Sequence, residues 1–505
     1  MTASAPDTET NLEEEFVSNT TLHGIARVAH NSRTIFRLAW LAIMLVFLGV
    51  CIAQITDRLQ RFFMYKANTA ISVEYVGDLD FPAVTICNFN RYRWSELTSS
   101  DLRSLNYILE ATDYDYDSYG EASSSSLSDT YPLDDDNASS AFNYTEFTLR
   151  AGFLMDDLTL LSCEWRGKTN SCSAANFSHV FTSFGNCWTF NSGSDGGPLL
   201  KEIQAGAGNG LRVQIDIQQN EYTEPLSGNR EAGLKVLVHD QQTPPMMDSQ
   251  GFAIQPGVHA FVATRRQQFL NLEPPYGKCD ASRTLNRFPN YTLEGCNIEC
   301  RTEKIIERCN CRLVRHPGTE VECTPRQTSE CARDVLSKLR SGEIPACDCP
   351  VPCNYTTFST SLSTATLPNQ RATQLLVDQY DDLAQYSSNI SDTTNTGSAS
   401  SAGQSNPILL DSTYMQNNWI LLDVFYENIN FQRYEQSEAI TPSALISDIG
   451  GQLGLFLGAS FITLTEILSY LGRKLGSILA SRRPRRAATS PDTSPGWDMN
   501  GVKIT

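Results

Sequence analysis

The sequence is poor in basic side chains and in histidine. It has 39 Lys and Arg against 57 Asp and Glu, a net charge of −18, and 6 His among 505 residues. Because nucleic-acid binding relies on Lys and Arg to neutralise phosphates, this balance argues against a nucleic-acid partner. Nor is there a recognisable nucleophile motif, phosphate-binding loop or metal-ligand spacing. We therefore expect neither an enzyme nor a cofactor or metal site.

Charge is also missing from two long apolar segments. Residues 38–56 (LAWLAIMLVFLGVCIAQIT) contain no charge, and residues 449–472 (IGGQLGLFLGASFITLTEILSYLG) contain only Glu466. As a helix, the second would reach roughly 36 Å, enough to cross a hydrocarbon core of about 30 Å. We do not expect the first to be a signal peptide, because 37 residues precede it and no small-residue cleavage site follows. We predict two membrane-spanning helices, at 37–57 and 448–472.

The second segment is rich in small residues, which are Gly450, Gly451, Gly454, Gly458, Ala459 and Ser460. In a membrane helix, small residues admit a second backbone or expose carbonyls to a water-filled path. Glu466 fits the second case, because a carboxylate at membrane depth usually faces a polar cavity or an ion pathway. We expect a helix that lines a pore. The alternative is a packing helix that holds a receptor dimer together.

Basic residues lie on the outer flank of each apolar segment. Arg27, Arg33 and Arg37 precede the first, and Arg473, Lys474 and further arginines up to Arg486 follow the second. The positive-inside rule makes both ends cytoplasmic, at 1–36 and 473–505, and places 58–447 outside the cell. The net charge divides into −2 for residues 1–56, +4 for 449–505 and −20 for the residues between. Such an acidic exterior would concentrate cations, although it also serves solubility.

Cysteine is absent from both predicted tails. One of the 15 cysteines, Cys51, lies in the first apolar segment, and the other 14 fall between Cys87 and Cys353. An even set confined to one region indicates disulfides in an oxidising compartment, and the C-x-C pairs fit zinc spacings poorly. The same region contains six N-x-S/T glycosylation sequons, at Asn137, Asn143, Asn176, Asn290, Asn354 and Asn389.

Local patterns add a coarse outline of secondary structure. Alternation predicts strands within 212–240, 251–264 and 419–431. A capping box at 324–327 opens a helix that should end at Gly342. The first 20 residues are polar and acidic and predict disorder. Low-complexity tracts within 97–140 and at 387–406 predict loops.

Several motifs resemble the degenerin/epithelial sodium channel superfamily and, within it, the acid-sensing ion channels. They are His23-Gly24, FPAVTICN at 81–88, CWTFNSG at 187–193, GNGL at 208–211, CNCRL at 309–313, CTP at 323–325, DIGGQ at 448–452 and GAS at 458–460. The similarity runs from about His23 to Arg473 and excludes the two low-complexity tracts. It implies an α+β membrane protein with two transmembrane helices and a large disulfide-rich, β-core ectodomain.

The resemblance also implies an assembly and a function. It implies a homotrimer, or a trimer with related subunits, in the plasma membrane and in contact with lipid, conducting sodium and blocked by amiloride. The ectodomain would have a finger at about 88–180, a thumb at about 280–355, and palm strands near 66–87 and 415–435.

Site residues follow from the same resemblance, position by position. Gly458, Ala459 and Ser460 match the selectivity filter, and His23 and Gly24 match the cytoplasmic re-entrant motif that supports it. The pore and gate positions are Ser447, Asp448, Gly451, Gln452, Leu455 and Glu466. Ile429 and Asn430 match a linker that rearranges in desensitisation, and Tyr65 and Tyr276 match an aromatic contact between the first span and the thumb.

The family pattern would also pair the cysteines. The implied disulfides are Cys87–Cys187, Cys163–Cys172, Cys279–Cys353, Cys296–Cys349, Cys300–Cys347, Cys309–Cys331 and Cys311–Cys323. The sequence without the resemblance leaves the connectivity of 14 cysteines open.

The agonist is the point on which the sequence departs from vertebrate acid sensors. Palm positions that carry acid-sensing side chains read Ala67, Ser72 and Val73, thumb aspartates read Arg333 and Ser337, and a palm glutamate reads Gln432. Asp423, Glu427 and His239 remain as groups through which acid could act. Three functions stay open: a proton-gated or proton-modulated sodium channel, a peptide-gated or constitutive channel of the same build, and a non-conducting cysteine-rich receptor.

Overall fold

The computed structural model describes residues 7–101, 104, 142–194, 196–223, 230–375 and 412–481. Both low-complexity tracts lie wholly or mostly outside these residues, as do the sequons Asn137 and Asn389 and the arginines from Arg482 to Arg486. The chain divides into a helical unit, Met1–Lys66 with Glu438–Thr505, and a β-rich unit, Ala67–Ser437.

The helices, in chain order, are α1 (Asp7–Asn19), α2 (Ile25–His30), α3 (Thr34–Phe63), α4 (Tyr144–Ala151), α5 (Met247–Gln250), α6 (Leu293–Cys309), α7 (Pro325–Gln327), α8 (Arg333–Ser341), α9 (Ser412–Asn418), α10 (Pro442–Leu457) and α11 (Phe461–Ser481). The strands are β1 (Ala67–Tyr75), β2 (Leu79–Asp80), β3 (Ala83–Asn88), β4 (Leu160–Trp165), β5 (Lys168–Thr169), β6 (Phe177–Thr182), β7 (Gly185–Phe190), β8 (Lys201–Glu202), β9 (Gly210–Asp216), β10 (Leu234–His239), β11 (Phe252–Ile254), β12 (Val258–Leu270), β13 (Asn354–Thr366) and β14 (Trp419–Glu438).

The first apolar segment forms the middle of α3, which is longer than the predicted 37–57 at both ends. With 30 residues, α3 is long and apolar enough to cross a membrane. Its apolar side chains point outward: Leu38 is 60 % exposed and Val46 64 %. Such a surface is stable when lipid or other helices cover it.

The second apolar segment is not one helix, so the prediction of a continuous helix at 448–472 is wrong. α10 ends at Leu457, α11 begins at Phe461, and the two axes meet at 75°. Taken together, the bent pair passes the same test of length and composition as α3. The cause of the break is local and lies at Gly458-Ala459-Ser460, which are also candidate site residues.

The prediction of disorder for the first 20 residues is wrong for residues 7–19, which form α1. This helix packs on α11 within the helical unit. The rings of Phe16 and Tyr470 stack with centroids 4.4 Å apart, and Glu13 pairs with Lys474 at 2.6 Å. A polar helix of this length is marginal in isolation, so these tertiary contacts stabilise it.

The described part of the β-rich unit contains two large sheets, and β2 pairs with β8 in a small third one. Seven strands form the larger sheet, in the order β13-β12-β14-β9-β4-β5 with β1 pairing to β14, and five form the other, in the order β11-β10-β3-β7-β6. On β9, Leu211, Val213 and Ile215 are fully buried, which is the two-residue period of a strand with one face in the core. The strands predicted within 212–240, 251–264 and 419–431 are confirmed by β9, β10, β11, β12 and β14.

The ranges implied for finger and palm each divide between the sheets. Within 88–180, β4 belongs to the seven-stranded sheet and β6 to the five-stranded one. Of the strands in the implied palm ranges, β1 and β14 lie in the larger sheet and β3 in the smaller.

Residues 279–353 contain α6, α7 and α8 and five disulfides. The predicted capping box is present at Thr324 and Gln327, and Gly342 ends the helix with a φ of +82°. A π-helical turn, Thr328–Ala332, joins α7 to α8. With Cys87–Cys187 and Cys163–Cys172, the structure has the seven pairs that the family resemblance implied.

Candidate functional site

The break between α10 and α11 lies at Gly458-Ala459-Ser460, and a glycine ends the first helix there. Gly458 has a φ of +65°, its N–H donates to the carbonyl of Gly454 at 3.0 Å, and the N–H of Ala459 reaches the carbonyl of Leu453 at 3.2 Å. These are the bonds of a helix end capped by a left-handed residue, a conformation that glycine adopts without strain.

A serine begins the second helix. The N–H of Thr463 donates to Oγ of Ser460 at 3.3 Å, and the N–H of Ser460 donates to Oγ1 of Thr463 at 3.0 Å. This reciprocal pair is the arrangement of a capping box, which favours a helix start. A helix stop and a helix start therefore stand next to each other in the sequence, and the chain turns between them.

His23 occupies the space beside Gly458. A Cβ built on Gly458 would lie 1.4 Å from Nδ1 of His23, and the backbone N–H of His23 donates to the carbonyl of Leu457 at 3.1 Å. Gly24, with a φ of +93°, turns the chain after His23, and a Cβ there would lie 3.0 Å from the sulfur of Met44 on α3. The structure thus brings both predicted motifs, His23-Gly24 and Gly458-Ala459-Ser460, into direct contact.

Glu466 takes part in the same contact from α11. Its Oε2 accepts from the backbone N–H of Thr21 at 3.2 Å, and the hydroxyls of Thr21 and Thr463 lie 2.5 Å apart. Thr463 is fully buried. Sequence reasoning missed Thr21 and Thr463, although the S-x-x-T spacing at 460–463 is a capping signal that could have indicated Thr463.

The remaining predicted pore positions lie on α10. Ser447, Gly451 and Leu455 follow one another at four-residue spacing, and Leu455 is 78 % exposed. Asp448 and Gln452 lie along a neighbouring stripe. Asp448 forms an ion pair with Arg58 of α3 at 3.6 Å, and Oε1 of Gln452 is buried with no hydrogen-bond partner among the described residues.

The predicted gating positions of the β-rich unit lie on β14. The register between β12 and β14 shifts, so that Thr264 faces Tyr426 whereas Arg266 faces Phe431. Glu427, Ile429 and Asn430 therefore fall in an irregular stretch of an otherwise paired strand. Tyr65 follows α3 with a φ of +47° in the helical unit, and Tyr276 lies in a turn of the β-rich unit.

The acidic candidates on β14 are engaged in ion pairs. Asp423 is fully buried and accepts from Nη2 of Arg212 and the N–H of Gly208, each at 3.0 Å. Glu427 is bound by Arg265, and this hydrogen-bonded ion pair lowers the pKa of Glu427. Gln432 accepts from Nε2 of Gln267 at 3.1 Å.

The pKa values of the four histidines in the β-rich unit shift in one direction. His179, His239, His259 and His316 all have pKa values below the ordinary range, chiefly because burial disfavours the charged imidazolium. For His239, whose Nε2 lies 2.8 Å from the hydroxyl of Thr85, the pKa falls to about 4.

Two aspartates that sequence reasoning missed have pKa values that shift in the opposite direction, upward. Burial raises the pKa of Asp216, at the end of β9, and of Asp240, directly after β10. Asp216 accepts from the hydroxyl of Tyr414 at 3.1 Å and Asp240 from the N–H of Gln242 at 3.1 Å. No sequence signal marks them, because their burial depends on the sheet packing. Among the described residues no group of three or more His, Cys, Asp or Glu could hold a metal ion.

Comparison with known proteins gives one consistent family. The family model described as amiloride-sensitive sodium channel matches residues 16–470. Acid-sensing ion channel 1C of Danio rerio is 34% identical over 97% of this chain and 91% of its own length. Acid-sensing ion channel 2 of Homo sapiens is 34% identical over 90% and 85%, and acid-sensing ion channel 1 of Gallus gallus is 34% identical over 97% and 90%.

A solved cryo-EM structure of a proton-activated chloride channel covers 88% of this chain and 97% of its own, but with 7% identity and a TM-score of 0.28 it bears on neither fold nor function. The relatives are ion channels and not enzymes. Because the family model covers most of the sequence, and the relatives share a third of it over nearly their whole length, the chain belongs to the amiloride-sensitive sodium channel family.

Proposed function

We propose that the chain is one subunit of a sodium-selective, amiloride-sensitive cation channel of the plasma membrane, with α3 and the α10–α11 pair as its two spans. The observation that carries the proposal is the break at Gly458-Ala459-Ser460, braced by His23. Within a membrane, backbone that leaves the helical pattern is tolerated only where protein buries it or where it lines a water-filled path. Carbonyls at the end of α10 and the Ser460 hydroxyl are suitable ligands for a dehydrating sodium ion.

One chain with two spans cannot enclose a path, so we infer that three copies, or this subunit with related ones, surround it. The small-residue face of α10 would line that path. Ser447, Asp448, Gly451, Gln452 and Leu455 would form its outer part and gate, and Glu466 an acidic ring below the break. Both termini would be cytoplasmic, which places the disulfides of the β-rich unit in an oxidising exterior.

Coupling between the β-rich unit and the gate would run through β14. Only residues 439–441 separate the end of β14 from the start of α10. The register shift at Glu427, Ile429 and Asn430 gives this strand a point at which it can change length without disturbing its paired part. A movement there would reach Ser447 through the first turns of α10.

For the stimulus, protons are supported by the names of the relatives and by two carboxyls with raised pKa values, Asp216 and Asp240. A peptide ligand, or constitutive opening, is the second candidate. It is favoured by the lowered pKa values of the four histidines of the β-rich unit and of Glu427, because a group with a lower pKa needs a more acidic pH to be protonated.

Whole-cell recording of the chain expressed alone tests conduction and stimulus together. We expect an amiloride-blocked sodium current during steps to pH 5. Asp216→Asn and Asp240→Asn should shift the half-activating pH to higher values and make the response to pH less steep, because the neutral amide imitates the protonated carboxyl, whereas Asp334→Asn at an exposed position of α8 should not. Current evoked only by peptides would favour the second candidate. Normal surface expression without current under any stimulus would favour a non-conducting receptor.

The pore assignment has its own test. Ser460→Cys should alter the sodium-to-potassium permeability ratio, and a cysteine at position 447 modified by a bulky thiol reagent should hold the current open. Unchanged permeability ratios in the first variant, with normal current, would remove Ser460 from the filter.

A further inference from the structure

The β-rich unit contains a cavity of about 240 Å³ where its two large sheets meet the start of α6. One wall consists of residues 237–240 at the end of β10 with Phe252 of β11, and another consists of residues of β13 between 355 and 360. The segments 292–294 and 351–352 complete the lining. Because small-molecule sites usually enclose about 300–1,000 Å³, this cavity would admit only a compact ligand.

The lining of this cavity carries negative charge. Its acids are Asp240 and Glu294, and the lining residues, all of them described by the structure, include neither Lys nor Arg. His239 also lines the cavity, but burial gives it a pKa of about 4 and so leaves it neutral at pH 7. A cleft lined by charge of one sign attracts ligands of the other sign, so the cavity favours a cation.

Asp240 has unused capacity to accept hydrogen bonds. Its Oδ2 accepts from the N–H of Gln242 at 3.1 Å, and within the described chain the carboxylate has no ion pair. An ionised carboxylate can accept about four hydrogen bonds. Burial raises the pKa of Asp240, and the charges of Arg266 and Asp80, which lie outside the lining, act on it in opposite directions. A cation in the cavity would stabilise the charged form that burial disfavours.

Glu294 is the second acid of the lining, and it lies in the first turn of α6. Its Oε1 accepts from Nε2 of Gln250 at 2.9 Å, and among the described residues no basic side chain pairs with it. The lining therefore holds two carboxylates and no counter-charge of its own.

Much of the remaining lining is aromatic or aliphatic. Phe252 and Phe358 come from different sheets and pack against the same core. Tyr355 is held by the ring of Phe269, which lies parallel to it within 9° at a centroid distance of 5.0 Å. Aliphatic surface comes from Leu237, Val238, Val351 and Pro352. An inorganic cation would leave this surface uncovered, whereas an organic cation would cover it and could also use the ring faces.

We propose that this cavity binds a compact organic ammonium ion, in which the ammonium group meets the carboxylate of Asp240 and an apolar body the size of one ring packs against Phe252 and Phe358. Its main walls belong to paired strands, β10 with β11 and β12 with β13, so little ordering is needed on binding. The ligand would contact both sheets and the start of α6, and would therefore link them.

Binding to the purified full-length chain in lipid nanodiscs tests the proposal without requiring current, so its outcome is independent of the proposed channel function. The probe is 2-phenylethylammonium. Its matched controls are 2-phenylethanol, which lacks the charge, and methylammonium, which lacks the ring. Calorimetric titration should give saturable binding of the probe with a Kd below about 1 mM, and binding of each control weaker by about tenfold or more.

Two isosteric variants remove the negative charges one at a time. Asp240→Asn should weaken binding of the probe about tenfold or more, because it removes the charge-assisted contact with the ammonium group. Glu294→Gln should weaken it less, about threefold, because Glu294 attracts the cation through space without contacting it.

Asp248→Asn is the matched control variant, since Asp248 is an exposed acid of α5 that does not line this cavity. It should leave the affinity unchanged. Equal weakening by Asp248→Asn and Asp240→Asn would reduce the effect to general surface charge and overturn the proposal. Unchanged affinity in both Asp240→Asn and Glu294→Gln would place the probe elsewhere and overturn it too.

The control ligands test the two parts of the proposed ligand. Affinity for 2-phenylethanol equal to that for the probe would overturn the role of the positive charge. Affinity for methylammonium equal to that for the probe would overturn the role of the apolar body. Absence of saturable binding of the probe would overturn the proposal as a whole.

Discussion

At the scale of single residues, the chemistry of the candidate site depends on what touches each side chain. Gly458 and Gly472 both lie in the second apolar segment, but only Gly458 has a left-handed backbone and a neighbour in its Cβ position. His239 and Asp240 are adjacent in the sequence, and burial moves their pKa values in opposite directions, since it disfavours the charged form of each. The residue type sets which conformations and protonation states a position can adopt. The neighbouring atoms decide which of them it does adopt.

Gly458→Ala should disrupt the filter. The added methyl would overlap His23, and the left-handed backbone adds about 1–2 kcal/mol of strain for any residue with a Cβ. We expect sodium current density to fall about tenfold or more at unchanged surface expression, or the sodium-to-potassium ratio to change.

The matched control is Gly472→Ala, where the added methyl meets no atom within 4 Å. The double variant His23→Ala with Gly458→Ala removes the overlap and keeps the backbone strain, so it should recover part of the lost current. A Gly458→Ala channel that conducts and selects normally would contradict the contact with His23.

His239→Gln should make the stability of the β-rich unit less dependent on pH. The histidine has a pKa of about 4 in the folded chain, against about 6.5 when unfolded. Between these values the unfolded state binds the extra proton, so stability is present above about pH 6.5 and falls as the pH drops toward 4. This single group contributes about 3 kcal/mol across that window.

Thermal unfolding of the purified chain from pH 7 to pH 4.5 measures this effect. The wild type should lose melting temperature steadily, and the His239→Gln variant should lose less of it. His30→Gln, in the helical unit and outside the β-rich fold, is the control. An identical pH profile in the wild type and the His239→Gln variant would show that His239 titrates normally.

At the scale of elements, helix boundaries rather than helix content give the site its geometry. The sequence 449–472 has one apolar composition throughout, yet a glycine stop and a serine start divide it into α10 and α11. α1 is the opposite case, because a polar and acidic segment becomes a helix through contacts with α11. The extent of α10 and α11 is thus set by their end caps, and the helix α1 is stabilised by its packing on α11.

The docking of α1 on α11 should depend on two ion pairs, Glu13–Lys474 at 2.6 Å and Glu15–Arg473 at 3.5 Å. Both pairs lie at the surface of the helical unit, so each contributes only weakly by itself. Glu13→Lys with Glu15→Lys should therefore lower the hydrogen-exchange protection of α1 amides about two- to tenfold. Adding Lys474→Glu and Arg473→Glu should restore it.

Glu14→Lys is the control for this experiment. Glu14 is exposed and has the same charge, but it has no ion pair within the described residues. If the Glu14→Lys variant loses as much hydrogen-exchange protection as the double variant, then the charge of the helix, and not its docking on α11, stabilises α1.

At the scale of the whole molecule, two kinds of stabilisation are combined in the β-rich unit. The sheets enclose a large apolar core with Leu211, Val236, Leu422 and Val424 fully buried. The helices α6 to α8 have only a small core, around Ile305, Val335 and Ile344, and five of the seven disulfides lie among or beside them. Small cores generally need such covalent support.

Removing Cys311–Cys323 by serine substitution should therefore loosen α6 and α8 while the sheets stay protected. A disulfide typically contributes about 2–4 kcal/mol, so amide exchange in these helices should accelerate strongly. Hydrogen-exchange mass spectrometry of the full chain measures it. Removal of Cys163–Cys172, which closes a loop of similar length at the edge of the seven-stranded sheet, should leave α6 and α8 unchanged. Equal loosening of the helices by both substitutions would contradict this division.

The sequence by itself determined the features that depend on composition and on nearby residues. Two apolar runs predict the spans, the confined cysteines predict disulfides, alternation predicts β9, β10 and β14, and the capping box at Thr324 predicts a helix that ends at Gly342. Motifs such as GAS at 458–460 identified the family. All of these are local signals, because a strand period, a cap or an apolar run is complete within a few residues.

Tertiary structure alone decided the features that join residues far apart in the chain. His23 lies against Gly458 although more than 400 residues separate them, α1 folds because α11 is beside it, and burial lowers the pKa of His239 and raises those of Asp216 and Asp240. Burial, steric contact and the field of neighbouring charges depend on distance in space, and a sequence records only distance along the chain.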